Sequence, residues 1–275
     1  MSIFVCPICG APLVREGSSY RCENRHSYDI SREGYVHLLP ANKKHSANPG
    51  DDKDMIAART AFLDRGWYSP LREALSRLSV AHTPAAPALL DAGCGEGYYT
   101  EGILSALENA GKSPQVAGID LSKFGLKKAA RRAKGAEFAV ASVYHLPVAD
   151  GSIDLLVDCF APLALEEYRR VLKPGGSFLY VTPAAGHLME LKSVLYENPY
   201  PNAEEAVPYE GFDYEAIVPV TATMEIRDSE SLMALFRMTP YAWKTPKEGV
   251  ERLSALSELD VTMDFRIHVF KKREG

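Results

Sequence analysis

The chain has 275 residues, 46% of them hydrophobic, and a formal net charge of −5, which suits one large domain, or one domain with a small module, around a full core. No run of about 18 apolar residues occurs, which excludes a membrane-spanning helix. The N-terminus lacks the charged and apolar regions of a signal peptide, so a cytoplasmic protein is expected. Net acidity gives no global reason to expect nucleic acid, yet residues 1 to 50 hold six Lys or Arg against four Asp or Glu, and the remainder holds 25 against 32. That asymmetry permits a local nucleic-acid surface near the N-terminus.

Five cysteines, an odd number, argue against a complete set of internal disulfides. Three of them crowd the first 22 residues. Cys6-Pro7-Ile8-Cys9 is a C-x2-C knuckle, and Cys22 is followed by His26. Thiolates and imidazole in two close pairs, joined by a hairpin with Gly10-Ala11-Pro12 and Glu16-Gly17-Ser18-Ser19 as turn chemistry, predict a zinc ribbon or knuckle over residues 1 to 40. Protein donors would fill all four positions of a tetrahedral ion, so the site is expected to be structural and to supply much of the module's stability. His37, Lys43, Lys44 and His45 form a small basic run, either a solvated linker or part of a phosphate-contacting surface.

Residues 41 to 84 read as a helical connector. A turn at Asn48-Pro49-Gly50 precedes a helix from Lys53, with Met55, Ile56, Arg59, Phe62 and Leu63 at helical spacing. Gly66 ends it, Trp67 to Pro70 form a corner, and a second helix carries Leu71, Leu75 and Leu78 on one face. Tyr68, just ahead of the unit that follows, is a packing residue or a ligand contact.

From residue 85 to 185 the chain alternates strands with helices, which implies a parallel sheet covered on both faces, in a domain that runs from 85 to 275. Its first unit is Leu89 to Thr100, an apolar strand ending in Asp91, then Gly93, Gly95 and Gly97, then a helix. A strand, glycine turn and helix hold a nucleotide-like ligand at the strand's carboxyl end. Asp120 ends the second strand, where an acid accepts both ribose hydroxyls of an adenosine. The loop reads D-x-G-C-G-x-G, and Glu96 inside it repels a pyrophosphate but suits a sulfonium and an ammonium group. Those features favour S-adenosylmethionine over a dinucleotide. Asp91 either caps the loop or stands near the methionine amino group. Ser142, after the third strand, is expected at the adenine edge. Cys94 and Cys159 read as small buried residues.

Strands are expected at 153–158 and 177–182, a helix at 163–172, a weaker strand at 212–225, and a closing antiparallel strand at 261–270. The Asp158-Cys159-Phe160-Ala161-Pro162 turn follows the fourth strand at the ligand edge, and Asp158 or a water near it is a candidate acceptor for a substrate proton. His187 follows the fifth strand at the same edge. Tyr241 and Trp243 either stack on a displaced base or pack against the sheet.

Val171-Leu172-Lys173-Pro174-Gly175-Gly176 is similar to the segment ahead of the fifth strand in seven-stranded methyltransferases. Nearly end to end, the chain resembles the bacterial large-subunit ribosomal RNA guanine-N1-methyltransferases of the RlmA or RrmA type, which include the tylosin-resistance enzymes. The resemblance rests on the Cys6, Cys9, Cys22, His26 quartet, Glu33-Gly34-Tyr35-Val36, Pro49-Gly50-Asp51 and the loop from Asp91 to Thr100. It continues in Thr182-Pro183, His187 to Lys192 and Met238 to Trp243. It implies an α/β, Rossmann-like, seven-stranded class I methyltransferase fold with a small N-terminal zinc-binding module. It further implies zinc on the quartet and S-adenosylmethionine contacted by Gly95-Glu96, Tyr68 and His187. The expected partners are a ribosomal RNA hairpin and a second copy of the chain, with no membrane. A small-molecule methyltransferase would share the loop but gives no reason for the zinc quartet. A non-catalytic RNA-binding adaptor would not need the loop intact.

Overall fold

The computed structural model describes residues 2–40, 50–204 and 208–274; Lys43, Lys44, His45, Asn48 and Pro49 lie outside them. A small antiparallel sheet comes first: β1 (Val14–Glu16), β2 (Ser19–Arg21) and β3 (Ser27–Asp29), in order β1-β2-β3. β4 (Tyr35–His37) then leaves this sheet for the large one.

Two helices follow, α1 (Lys53–Asp64) and α2 (Ser69–Ala81). Asp52 starts α1, its carboxylate accepting from the amides of Asp54 and Met55 at 2.9 and 2.8 Å, a capping arrangement that satisfies two otherwise orphaned donors. Then come β5 (Ala88–Ala92), α3 (Tyr98–Asn109), β6 (Gln115–Asp120), α4 (Lys123–Arg132), β7 (Glu137–Val140), β8 (Ile153–Cys159) and α5 (Leu165–Val171). The last quarter holds β9 (Leu172–Pro183), α6 (Met189–Leu195), β10 (Phe212–Ile226), α7 (Ser229–Arg237), α8 (Lys247–Ser254) and β11 (Leu259–Lys272), with a 3-10 turn at Pro240–Trp243.

The large sheet has the order β10-β11-β9-β8-β5-β6-β7-β4. β5, β6, β7, β8 and β9 run parallel, and β11 is antiparallel to both of its neighbours. Seven of these strands are the ones the alternating pattern predicts. The eighth, β4, pairs parallel with β7 through Tyr35↔Phe138, Val36↔Ala139 and His37↔Val140. Three residues are too few for a period-2 pattern to register, so nothing in the sequence announces this strand.

β9 begins five residues earlier than its apolar run. Leu172 already pairs with Ile153, and a register shift between Ile153 and Leu155 absorbs Lys173 to Gly176 before Ser177 pairs with Leu155. The Lys173 to Gly176 segment, expected ahead of the fifth strand, is thus a bulge within it. In β11, Val261, Met263, Phe265, Ile267 and Val269 are all buried on one face, as the alternation predicts.

One face of the sheet packs on α2, α3, α6 and α7 through Leu75, Ile103, Leu191 and Leu235. The other is covered by α5 and by the N-terminal segment. Phe4, Leu13, Tyr20, Val36 and Leu38 share one core with Ala117, Ala139 and Leu156 of the sheet. The Val5 amide donates to the Pro147 carbonyl at 2.8 Å.

Candidate active site and metal centre

At the carboxyl end of the parallel strands lies a cleft of about 860 Å³. Tyr68, Gly93, Gly95, Glu96, Asp120, Ser142 and His187, all singled out in the sequence, line it. Asp91, Gly97 and Asp158 do not.

Gly97 caps α3 in the left-handed region at φ +79°, and a Cβ there would come 2.8 Å from Ala129 Cα. It is a packing glycine, letting the loop sit against α4. Gly93 has φ +85° and a Cβ on it would collide with Ala161, so it makes room for the turn after β8. Gly95 donates its amide to Asp120 Oδ2 at 3.0 Å, and Asp120 Oδ1 accepts from the Ser122 amide at 2.6 Å. Asp120 therefore fixes the loop while facing the cleft.

Glu96 is 2% exposed, and its Oε1 has no hydrogen-bond partner among the described residues. Burial pushes its carboxyl up, against the pull of Arg59. A buried carboxylate oxygen left unpaired is costly, and a cationic or hydroxylated ligand in the cleft would satisfy it. Arg59 also meets Asp51 at 2.5 Å, and both line the cleft. Sequence reasoning missed Arg59 and Asp51 as site residues. The available signal was a charge in the apolar stripe of α1, between Met55 and Phe62.

Asp91 is buried under the loop, where its Oδ2 accepts from Thr100 Oγ1 at 2.5 Å. Burial raises its carboxyl to about 7. Ser142 stands beyond β7, its hydroxyl accepting from the Tyr144 amide at 3.2 Å.

The opposite wall is aromatic. Tyr68 packs edge-on against Phe62 and Phe265 at 5.3 and 5.2 Å, and His187 lies 4.2 Å from Phe265. His187 Nδ1 accepts from the Asp264 amide at 3.2 Å. Burial, with Lys192 nearby, lowers the imidazole to about 3. It is therefore neutral at working pH, with its proton on Nε2 as a donor. Tyr241 and Trp243 also line the cleft; Trp243 is 70% exposed.

Asp158 is fully buried, and both of its oxygens are engaged. Oδ1 accepts from the Ala161 amide at 2.9 Å and Oδ2 from the Tyr168 hydroxyl at 2.7 Å. Burial raises its carboxyl to about 7. It lies beneath the Phe160-Ala161-Pro162 turn, which does line the cleft.

At the other end of the N-terminal segment, Cys6, Cys9, Cys22 and His26 bring their donor atoms within 4.8 Å of one another. Cys9 and Cys22 sulfurs are 3.8 Å apart, and His26 Nδ1 is 3.4 Å from the sulfurs of both Cys6 and Cys22. A tetrahedral zinc with bonds of about 2.3 Å to sulfur and 2.0–2.1 Å to nitrogen requires edges of about 3.8 and 3.5 Å, so the quartet fits the ion. The Tyr28 hydroxyl, 3.0 Å from the Cys6 sulfur, adds an outer donor that steadies a thiolate; nothing in the Cys/His spacing points to it.

Comparison with known proteins matches both halves of this arrangement. Residues 4–47 match the zinc-ribbon family described as RlmA, N-terminal, and residues 85–231 match a methyltransferase domain. The chain is 36% identical to the 23S rRNA (guanine(748)-N(1))-methyltransferase of Streptomyces fradiae, over 91% of this chain and 90% of that one. It is 33% identical to YxjB of Bacillus subtilis, named for 23S rRNA guanine-N(1) methylation, over 98% of each. A malonyl-[acyl-carrier protein] O-methyltransferase of Hamiltonella defensa is 35% identical, over only 38% of this chain and 40% of that protein. Among solved structures, the YcgJ protein of Bacillus subtilis superposes with a TM-score of 0.51 at 17% identity, over 74% of this chain and all of that one, which is a likeness of fold.

Proposed function

Since the chain belongs to the 23S rRNA (guanine-N1)-methyltransferases, we propose that it methylates N1 of a guanine in a hairpin of large-subunit ribosomal RNA, with S-adenosylmethionine as donor and zinc as a structural ion. The observation that carries this reading is the pairing of a Cys3His quartet with a cleft whose buried Glu96 oxygen lacks a partner among the described residues. The malonyl-carrier methyltransferase matches only 38% of this chain, and a carrier-protein substrate gives no reason for the quartet.

S-adenosylmethionine supplies a methyl carbon already activated by its sulfonium, so the protein's task is positioning. Asp120 and Glu96 would accept from the hydroxyl and ammonium groups of the cofactor. Gly95 would let the backbone approach it. Ser142 would border its adenine, and Tyr68 and His187 would close the apolar side. Asp91, one layer below, acts on the loop through Thr100. Guanine N1 lies on the pairing edge, so the base must leave its helix to react. N1 also carries a proton that must depart. Asp158, with both oxygens engaged, serves as a positioning residue for the turn. Solvent reaching the open cleft mouth would take the proton instead.

The zinc ribbon is the RNA grip. Arg15, Arg21, Arg25 and Arg32 are exposed on it, and arginine suits phosphate. The protein works as a homodimer in the cytoplasm, with two ribbons on one RNA.

The test is transfer of labelled methyl to 23S rRNA, followed by reverse transcription, which stops at N1-methylguanine because the pairing edge is blocked. A single new stop in the substrate hairpin is expected. Zinc-loaded protein that binds S-adenosylmethionine yet leaves the RNA unlabelled would overturn the reading.

A further inference from the structure

Phe160 combines two features that neither stability nor solubility explains. Its φ is +70°, in the left-handed region that L-residues other than Asn and Asp rarely enter. Its ring is 48% exposed at the cleft. Such strain persists only where the surroundings over-determine it, and here they do. Asp158 holds the Ala161 amide and the Tyr168 hydroxyl from below. Gly93 clears the space that Ala161 needs. A buried carboxylate, a buried phenol and a glycine thus collaborate to hold one apolar ring half out of the protein.

One side of that ring is backed. Phe265 lies 5.0 Å away at 44°, and Tyr99 6.5 Å away at 70°. Phe265 in turn touches Tyr68 and His187. Phe160 therefore ends a row of rings that starts at the wall assigned above to the cofactor. The ring is otherwise exposed to the cleft, which Tyr144 and Trp243, 54% and 70% exposed, also line. A planar ligand with apolar faces would cover what solvent now covers, and would lie next to the cofactor site.

We propose that Phe160 is the stacking platform for the extruded guanine, holding its N1 edge toward the methyl donor. This rests on the nucleobase reading above and adds to it the residue that receives the base.

The experiment compares wild type with Phe160→Gly, Phe160→Leu and Phe160→Tyr on the rRNA hairpin, with cofactor affinity by calorimetry and thermal midpoints measured alongside. Base–aromatic stacking predicts a loss of roughly 5- to 100-fold in kcat/KM for RNA in the Gly and Leu variants. Tyr, which restores the ring, recovers activity to within about threefold. Cofactor affinity stays at the wild-type value in all three. The Gly variant keeps its thermal midpoint, because release from the left-handed strain offsets the lost half-buried ring. The proposal is overturned if Leu or Gly matches wild type on RNA, or if the loss appears in cofactor affinity or thermal midpoint instead. Wild type that methylates no RNA would remove the nucleobase reading itself, an outcome separate from any difference among the variants.

Discussion

Arg59 meets Asp51 at 2.5 Å beside two further acids, Glu96 and Asp120, whose carboxyls burial pushes up. One cation thus balances three acids on the cofactor side of the cleft. Arg59→Met should destabilise the protein by about 1–2 kcal/mol at pH 8, less than a fully buried pair because both side chains keep some solvent. A raised carboxyl favours the folded state below its ordinary value and loses that contribution as pH rises through the folded one. Without Arg59 the Glu96 and Asp120 carboxyls rise further, so the gap between variant and wild type should widen from pH 5 to pH 8. Urea unfolding at both values checks this; a gap independent of pH would refute it.

Asp91 defines a pH window. Its folded carboxyl is at about 7 against an ordinary 3.8. Between those values the folded chain keeps a proton that the unfolded chain releases, so stability falls as pH rises from about 4 to 7. Asp91→Asn removes this titration and keeps an acceptor for Thr100. Its unfolding free energy should vary less over that interval, and it should gain on wild type toward pH 8. Equal slopes for the two proteins would show that Asp91 does not titrate there.

Asp158 separates a positioning role from an acid–base one. Asn retains an acceptor for the Ala161 amide, and the Tyr168 hydroxyl can turn to accept from the Asn amide. A positioning role predicts Asp158→Asn within about threefold of wild-type turnover, whereas loss of a general base costs on the order of 10²- to 10⁴-fold. Asp158→Ala leaves the Ala161 amide unheld and should lower kcat/KM for RNA while cofactor affinity stays. Single-turnover rates on the RNA decide; a drop beyond a hundredfold in the Asn variant would restore Asp158 as the proton acceptor.

Zinc removal should reach the whole protein. The quartet organises the segment whose Phe4, Leu13, Tyr20 and Val36 share a core with the sheet, and structural zinc sites are folding energy outright. Chelation, or Cys22→Ser, should lower the thermal midpoint of the single cooperative transition by several degrees or more. A separate ribbon transition that leaves the main one in place would contradict a shared core.

What the sequence made legible was periodic or punctuated. Strands β5, β6 and β8 stand out as apolar runs closed by Asp91, Asp120 and the Asp158 turn, and β11 by its five alternating buried residues. The quartet is readable because thiolate spacing has few other uses. The missing parts depend on tertiary neighbours. β4 is three residues long and becomes a strand only because β7 offers a free edge. Arg59 stands in the sequence as a charge within the apolar stripe of α1, and only the fold brings three acids around it. Gly93, Gly95 and Gly97 look alike in the sequence, yet Gly97 serves helix packing while Gly93 and Gly95 border the cleft. Asp158 and Glu96 are both buried acids; hydrogen bonds alone tell which is spoken for.

β4 also constrains how the chain can be made. Tyr35 to His37 pair with Phe138 to Val140, about a hundred residues downstream, and closing so long a loop early is entropically costly. During synthesis the ribbon can capture its ion soon after His26 emerges, but its last strand has no partner until β7 has left the ribosome. The metal therefore holds an unfinished surface in reserve through most of translation. Cells starved of zinc should accumulate nascent chains that fail at their first forty residues, long before the catalytic half exists.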